Sequence, residues 1–183
     1  MATITIDGHL ELKTYEIDDF QALFDSINSS RQHLGQWLSW VAKTTRAEHS
    51  LEFIQQAQHQ LHTQQALAMG IFVNGTIVGG VGMHDWSHDT KRAQIGYWIC
   101  KEHEGKGLVT RSLQGLINYL FGTTGLNKIE IHYVPANRRS AAVAERLGFR
   151  LEGVIRQSTM RNGVAEDIVV TGLLKNEWKS MAL

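Results

Sequence analysis

The segment from Trp98 to Arg111, Trp-Ile-Cys-Lys-Glu-His-Glu-Gly-Lys-Gly-Leu-Val-Thr-Arg, constrains the fold of this chain more than any other. It joins an alternating apolar stretch (Ala93, Ile95, Tyr97, Ile99) to a run with helical spacing (Val109, Leu113, Leu116, Ile117, Leu120), with Gly105 and Gly107 at the joint. A strand must therefore pass directly into an amphipathic helix. The first N–H groups of such a helix lack an intrahelical acceptor and the helix dipole favours negative charge there, so the junction is built to hold a phosphate group. Glycine at these two places lets the backbone approach the phosphate without a Cβ in the way.

The other patterns arrange around this junction. Thr3 to Tyr15 alternates weakly, as one N-terminal strand or a pair of strands would. Phe20, Leu23, Phe24 and Ile27 follow helical spacing with Asp18 or Asp19 available as N-cap, and a second helix is predicted from near Thr45 through Leu51, Ile54, Ala57 and Leu61. Between them, His33 to Val41 reads as loop or short helix. Asn74-Gly75 between two apolar runs predicts a hairpin with a type I′ turn. A turn over Ser87 to Thr90 leads into the strand ending near Ile99, so three antiparallel strands precede the junction. After the helix come a strand over Lys128–Val134, with Ile129, Ile131 and Tyr133 on one face, and a helix from about Ser140 stopped by Gly148. A last hairpin turns at Asn162-Gly163, with its second strand over Asp167–Leu174. The expected class is α+β, with a mixed, mostly antiparallel central sheet and about four flanking helices in a single domain over residues 1–183.

Composition narrows the partners. Eighteen basic residues balance eighteen acidic ones, so no bulk field draws the chain to nucleic acid or to an anionic membrane. The one cysteine, Cys100, excludes an internal disulfide and suits a reducing compartment. With neither a signal-peptide pattern nor a run long enough to span a bilayer, a cytoplasmic protein is expected. His59 and His62 share a helix face, but nothing completes a ligand set around them, so no metal is expected.

Three phosphate compounds compete for this junction. A nucleoside triphosphate loop needs Gly-Lys-Ser/Thr at its end, whereas Gly105-Lys-Gly107 is followed by Leu108. A dinucleotide fingerprint lacks its third glycine at Thr110 and would need a parallel strand–helix–strand unit in place of an antiparallel meander. Coenzyme A remains. The strings Ile95-Gly-Tyr-Trp-Ile99, Glu104-Gly-Lys-Gly-Leu108, Asn137-x-x-Ser140 and Arg146-Leu-Gly-Phe149-x-Leu-Glu-Gly153, with the Trp37-Leu-Ser-Trp40-Val loop, lie in order at matching spacing. In these strings and in element order the chain resembles the GNAT acetyltransferase superfamily over roughly Gly70 to Leu174. Within it the chain is similar to the Rim-type (RimJ/RimL-like) ribosomal-protein-serine/alanine N-terminal acetyltransferases. It departs from the superfamily pattern Gln/Arg-x-x-Gly-x-Gly/Ala, with Glu104 at the start and Val109 at the end.

The resemblance implies a sheet splayed between its fourth and fifth strands, holding the thioester of acetyl-CoA between Trp98–Cys100 and Ile131–Tyr133. Pantetheine would bond the strand edge at Ile99 and Cys100, and the pyrophosphate would sit on the amides of Gly105, Lys106, Gly107, Leu108, Val109 and Thr110. Lys106 and Arg111 could add charge or stay solvated. A backbone N–H near Ile99 would receive the developing oxyanion. Many relatives use a tyrosine acid where this chain has Ala144; the Rim-type branch suggests Ser140 instead, although Ser140 could simply cap the last helix. Asn137 could bond pantetheine or only shape the turn after Pro135. Where relatives carry a glutamate base this chain has Gln94, leaving His84, Asp85, Glu166, Asp167 or a solvent relay, with His84 the preferred base. Trp37, Trp40 and Trp98 could line an acceptor groove or belong to the core. The implied acceptor is a protein N-terminus, that of a ribosomal protein by resemblance. A small-amine acceptor or a non-catalytic CoA-binding module are the rivals, and self-association as a homodimer stays open.

Overall fold

Asn74 and Gly75 take φ values of 50° and 79°, the doubly positive pair a type I′ turn needs. They join β3 (Leu67–Val73) to β4 (Thr76–Ser87) in the predicted hairpin. The computed structural model describes residues 2–161 and 163–179. Before the hairpin come β1 (Thr3–Thr5) and β2 (Leu10–Thr14), a pair of strands, then α1 (Phe20–Ser29), α2 (Arg31–Gly35) and α3 (Ala47–His62). After it follow β5 (Arg92–Ile99), α4 (Leu108–Thr123), β6 (Lys128–Tyr133), α5 (Arg138–Arg146), β7 (Arg150–Arg161) and β8 (Val164–Leu174).

The eight strands form one sheet in the order β1-β2-β3-β4-β5-β6-β8-β7. Every neighbouring pair is antiparallel except β5 and β6, which run parallel. Alternation assigns the two faces. Ile95 on β5 and Ile129 and Ile131 on β6 pack with Leu113, Leu116, Ile117 and Leu120 of α4 and with Ala144 and Leu147 at α5. On the other face, Ile77 and Trp98 pack with Leu23 and Ile27 of α1 and Ile54 of α3. Thus α4 and α5 cover one side of the sheet, and α1 to α3 the other.

Three element ends differ from expectation. Among the described residues five α-helices flank the sheet where about four were expected, Arg31–Gly35 folding as the short α2 with a 3-10 turn over Ser39–Ala42 after it. Asp19 does not cap α1; its carboxylate accepts from Glu16 N–H at 2.9 Å and closes the 3-10 turn before the helix. The last helix starts at Arg138, earlier than Ser140, because Asn137 caps it. Strand β8 begins at Val164, before Asp167. At the expected final turn Gly163 has a φ of 76°, while Asn162 lies outside the described residues.

The glycines of β4 decide how closely β5 and its neighbours can pack. A Cβ on Gly79 would lie 2.5 Å from the backbone oxygen of Trp98, which cannot yield without moving β5. At Gly153 a Cβ would meet nothing within 4 Å. Gly79→Ala is therefore expected to lower unfolding free energy by about 1–3 kcal/mol, while Gly153→Ala stays within about 0.5 kcal/mol of the parent. Urea unfolding of both variants checks this.

Candidate active site: a splayed sheet facing a glycine junction

Strands β5 and β6 pair only through Arg92–Lys128, Ala93–Ile129 and Gln94–Glu130, then diverge. On its other side β5 stays bonded to β4 as far as Ile99, and Cys100 N–H continues by donating to Val78 O at 2.8 Å. N–H groups alternate sides along a strand, so those of Tyr97 and Ile99 face the gap that β6 has left. The gap thus presents donors to whatever enters between the strands.

The polypeptide leaves β5 through a 3-10 turn over Lys101–His103 and reaches the glycine junction. Gly105 and Gly107 have φ of 72° and 73°, and Gly107 is the left-handed N-cap of α4. Positive φ, not crowding, is what demands glycine when the junction stands alone, since a Cβ at either position would touch nothing within 4 Å. Leu108 and Val109 pack on the core and pin the helix start, while Lys106 is exposed. Arg146 of α5 donates to Thr110 Oγ1 at 3.3 Å, placing a guanidinium beside the first turn. Arg111 is instead paired with Asp7.

Glu104, the departure from the superfamily pattern, is surrounded by basic side chains. Arg139 pairs with it, His33 Nε2 lies 3.0 Å away and Lys101 Nζ 3.1 Å away. Desolvation would push its carboxyl up, but the bonds from Arg139 and Lys101 and the nearby His33 hold it below the usual carboxylate range. Its charge therefore does not oppose a phosphate alone. An open cleft of about 650 Å3 adjoins this cluster, lined by His33, Trp37, Lys101, Asn137 and Arg139 among others.

Across the gap, Asn137 Oδ1 accepts from Ser140 N–H at 3.1 Å. Asn137 is the cap, so Ser140 is not, and its hydroxyl is free for the sheet: Ser140 Oγ lies 2.7 Å from Tyr97 OH of β5. Burial pushes the Tyr97 phenol up to about 12, outweighing the Ser140 hydrogen bond, which lowers it, and Tyr133 adds to the rise. The Tyr97–Ser140 contact was not anticipated; Tyr97 read only as a core position of an alternating strand.

Cys100 has partners for its N–H, carbonyl and thiol within the chain. Its N–H bonds Val78 O, its carbonyl accepts from His103 N–H, and its buried thiol donates to Ser26 O at 3.3 Å. Burial raises that thiol, with bonds from Ser30 and Ser29 opposing.

The face toward α1 to α3 carries the remaining candidates. Trp98 packs edge-to-face with Trp40, ring centroids 6.2 Å apart, and its indole lies over Gly80. Arg161 of β7 stacks on Trp37 at 5.1 Å while its fork grips Glu166, so the last hairpin reaches the tryptophan loop. Glu166 is thereby committed to an ion pair. His84, opposite Gln94 on β4, has its Nδ1 3.1 Å from Asp85, and both are well exposed. Asp167 accepts from Gln157 N–H at 2.9 Å in the hairpin. Glu130 and His132 were also missed, although the alternation that sends Ile129 and Ile131 to one face of β6 sends these two to the other. Among the described residues, no group of three or more His, Cys, Asp or Glu is placed to hold a metal, and no helix is long and apolar enough to cross a membrane.

Residues 9–150 match the acetyltransferase (GNAT) domain family. YdaF of Bacillus subtilis, provisionally named a ribosomal N-acetyltransferase, is 33% identical over 180 residues, covering 98% of both chains. The solved structure of RimL, a ribosomal L7/L12 α-N-protein acetyltransferase in complex with coenzyme A, superposes with a TM-score of 0.92 at 25% identity, over 96% of this chain and 99% of that one. The microcin C7 self-immunity acetyltransferase MccE, solved with acetyl-CoA and AMP, gives 0.89 at 27% identity over 92% and 94%.

Two measurements follow. Gly107→Ala forces a left-handed alanine, costing about 1–2 kcal/mol, and is expected to weaken acetyl-CoA binding at least tenfold by calorimetry. The buried Tyr97 phenol favours the fold fully below pH 10, its unfolded value, and that contribution is lost as pH rises through about 12. Unfolding midpoints between pH 9 and 12 (about the range set by this shift) are expected to fall less steeply in Tyr97→Phe.

Proposed function

The chain belongs to the GNAT acetyltransferase family and is an N-acetyltransferase using acetyl-CoA, and on that premise we propose that its acceptor is the N-terminal α-amine of a protein, a ribosomal protein first of all. The observation that carries this reading is the likeness to RimL over 96% of this chain and 99% of that one. In it the protein works in the cytoplasm, where ribosomal proteins are made.

Acetyl-CoA supplies an acetyl group already activated as a thioester. The residues of this chain do the rest. The amides from Gly105 to Thr110, with Arg146 beside them, receive the pyrophosphate. The Ile99 N–H, turned into the gap, receives charge that develops on the carbonyl oxygen, where a fixed donor acts without reorganising. The Ser140 hydroxyl, held by Tyr97, donates a proton to the departing sulfur. Trp37, Trp40 and Trp98 form a wall suited to the first side chains of a peptide, with Arg161 holding Trp37 in place.

A small amine is the second reading, favoured by the likeness to MccE, which was solved with acetyl-CoA and AMP. Incubating ribosomal proteins with enzyme and acetyl-CoA, then weighing them by mass spectrometry, is expected to show one added acetyl group at an N-terminus. Thiol release with small amines but with no protein or peptide would refute this acceptor. Ser140→Ala is expected to lower kcat by about 10²-fold with acetyl-CoA affinity unchanged.

A further inference from the structure

Gln94 stands where relatives carry a glutamate base, yet its parallel partner on β6 is Glu130, on the same face. Glu130 is 5% exposed and binds three groups: Arg92 at 2.8 Å, Lys128 at 2.9 Å and His132 Nε2 at 2.9 Å. Desolvation would raise its carboxyl, but the bonds from Lys128, His132 and Arg92 hold it below the usual carboxylate range. It is therefore a permanent anion, and its partners fix where it points.

His132 lies two residues along β6 from Glu130, beyond the last β5–β6 pair, so it stands on the strand that borders the gap. Its side chain leaves the sheet on the face of Trp98 and Gln94, opposite to Ile131. A carboxylate only accepts, so the bond to Glu130 takes Nε2 as donor, and Nδ1 is the ring nitrogen left to exchange a proton with an acceptor. His84 lacks this placement: it sits on β4, one strand away from the gap, with its Asp85 partner in solvent.

We infer that His132, oriented by Glu130, is the general base that takes the proton from the acceptor amine. This deepens the acetyl-transfer reading and rests on it. The incoming α-ammonium loses two protons as its nitrogen bonds the acetyl carbon and the carbon–sulfur bond breaks. One passes through His132 Nδ1 to solvent, and the leaving sulfur gains one, so a single proton is released per turnover. The charged groups around the pair are Arg92 from β5, Lys128 from β6 and Glu152 from β7, which bonds Lys128 at 2.5 Å; β8 sets the neutral Val170 opposite His132.

The test compares His132→Gln and His84→Gln with the parent on a panel of N-terminal peptides and small amines, from pH 6 to 10 (about the span that brackets an α-amine pKa). His132→Gln is expected to lower kcat/KM about 10²-fold at neutral pH, with acetyl-CoA affinity and melting temperature kept. The deficit is expected to shrink as pH passes the amine pKa of roughly 8, where the acceptor loses its proton unaided. His84→Gln is expected to stay within about threefold of the parent, well short of a general-base loss. The assignment is overturned by a parent-like His132→Gln, by a loss of equal size at every pH, or by the pH-dependent loss appearing in His84→Gln. If the parent acetylates only small amines, the protein-acceptor reading falls, and His132 is judged with that amine on the same criteria.

Discussion

Everything functional in this fold depends on a sheet that stops pairing partway along two neighbouring strands. Backbone N–H and C=O groups inside a protein need partners, and after Gln94 and Glu130 the facing edges of β5 and β6 no longer supply them to each other. The gap holds open because each strand is secured elsewhere, β5 by β4 and β6 by β8 along its whole length. The core beneath, with Leu113, Leu116 and Ile117 fully buried, leaves neither strand free to close it. A thioester-bearing chain can complete the edge as a short extra strand would.

The glycine junction is placed by the same geometry. Strand β5 ends at Ile99, a single 3-10 turn follows, and Gly107 starts α4, so the helix N-terminus lies at the mouth of the gap. A pyrophosphate on the helix and an acyl group in the gap are then two ends of one ligand. Local charge agrees. Though the chain is formally neutral, Glu104 at the junction carries Arg139, Lys101 and His33 with it.

The two faces of the sheet divide the labour. The face under α4 and α5 is mostly apolar, and there Tyr97 meets Ser140, the pair that the proposed mechanism sets beside the departing sulfur. The opposite face concentrates titratable groups, Arg92, Lys128, Glu130 and His132 on β5 and β6, with His84 across from Gln94. In the proposed mechanism the amine that loses a proton and the thiol that gains one are served from opposite sides, so the two proton transfers do not compete.

Much of this was legible in the residues. The hairpin at Asn74-Gly75, the strand-to-helix passage through Gly105 and Gly107, and the apolar stripe of α4 follow from local preferences, which act between neighbours along the chain and are therefore written in it. Element ends were less legible: Asn137 won the cap from Ser140 and Asp19 turned away from α1, because competing side chains differ by only about 1 kcal/mol. The sequence by itself thus determined the fold class, the glycine junction between strand and helix, and the family. Only the tertiary structure decided that Tyr97 meets Ser140 across 43 positions, that Arg92 meets Glu130 across 38, and that the Cys100 thiol meets Ser26 across 74. Those contacts depend on which strands become neighbours in the sheet, and no local periodicity encodes that choice.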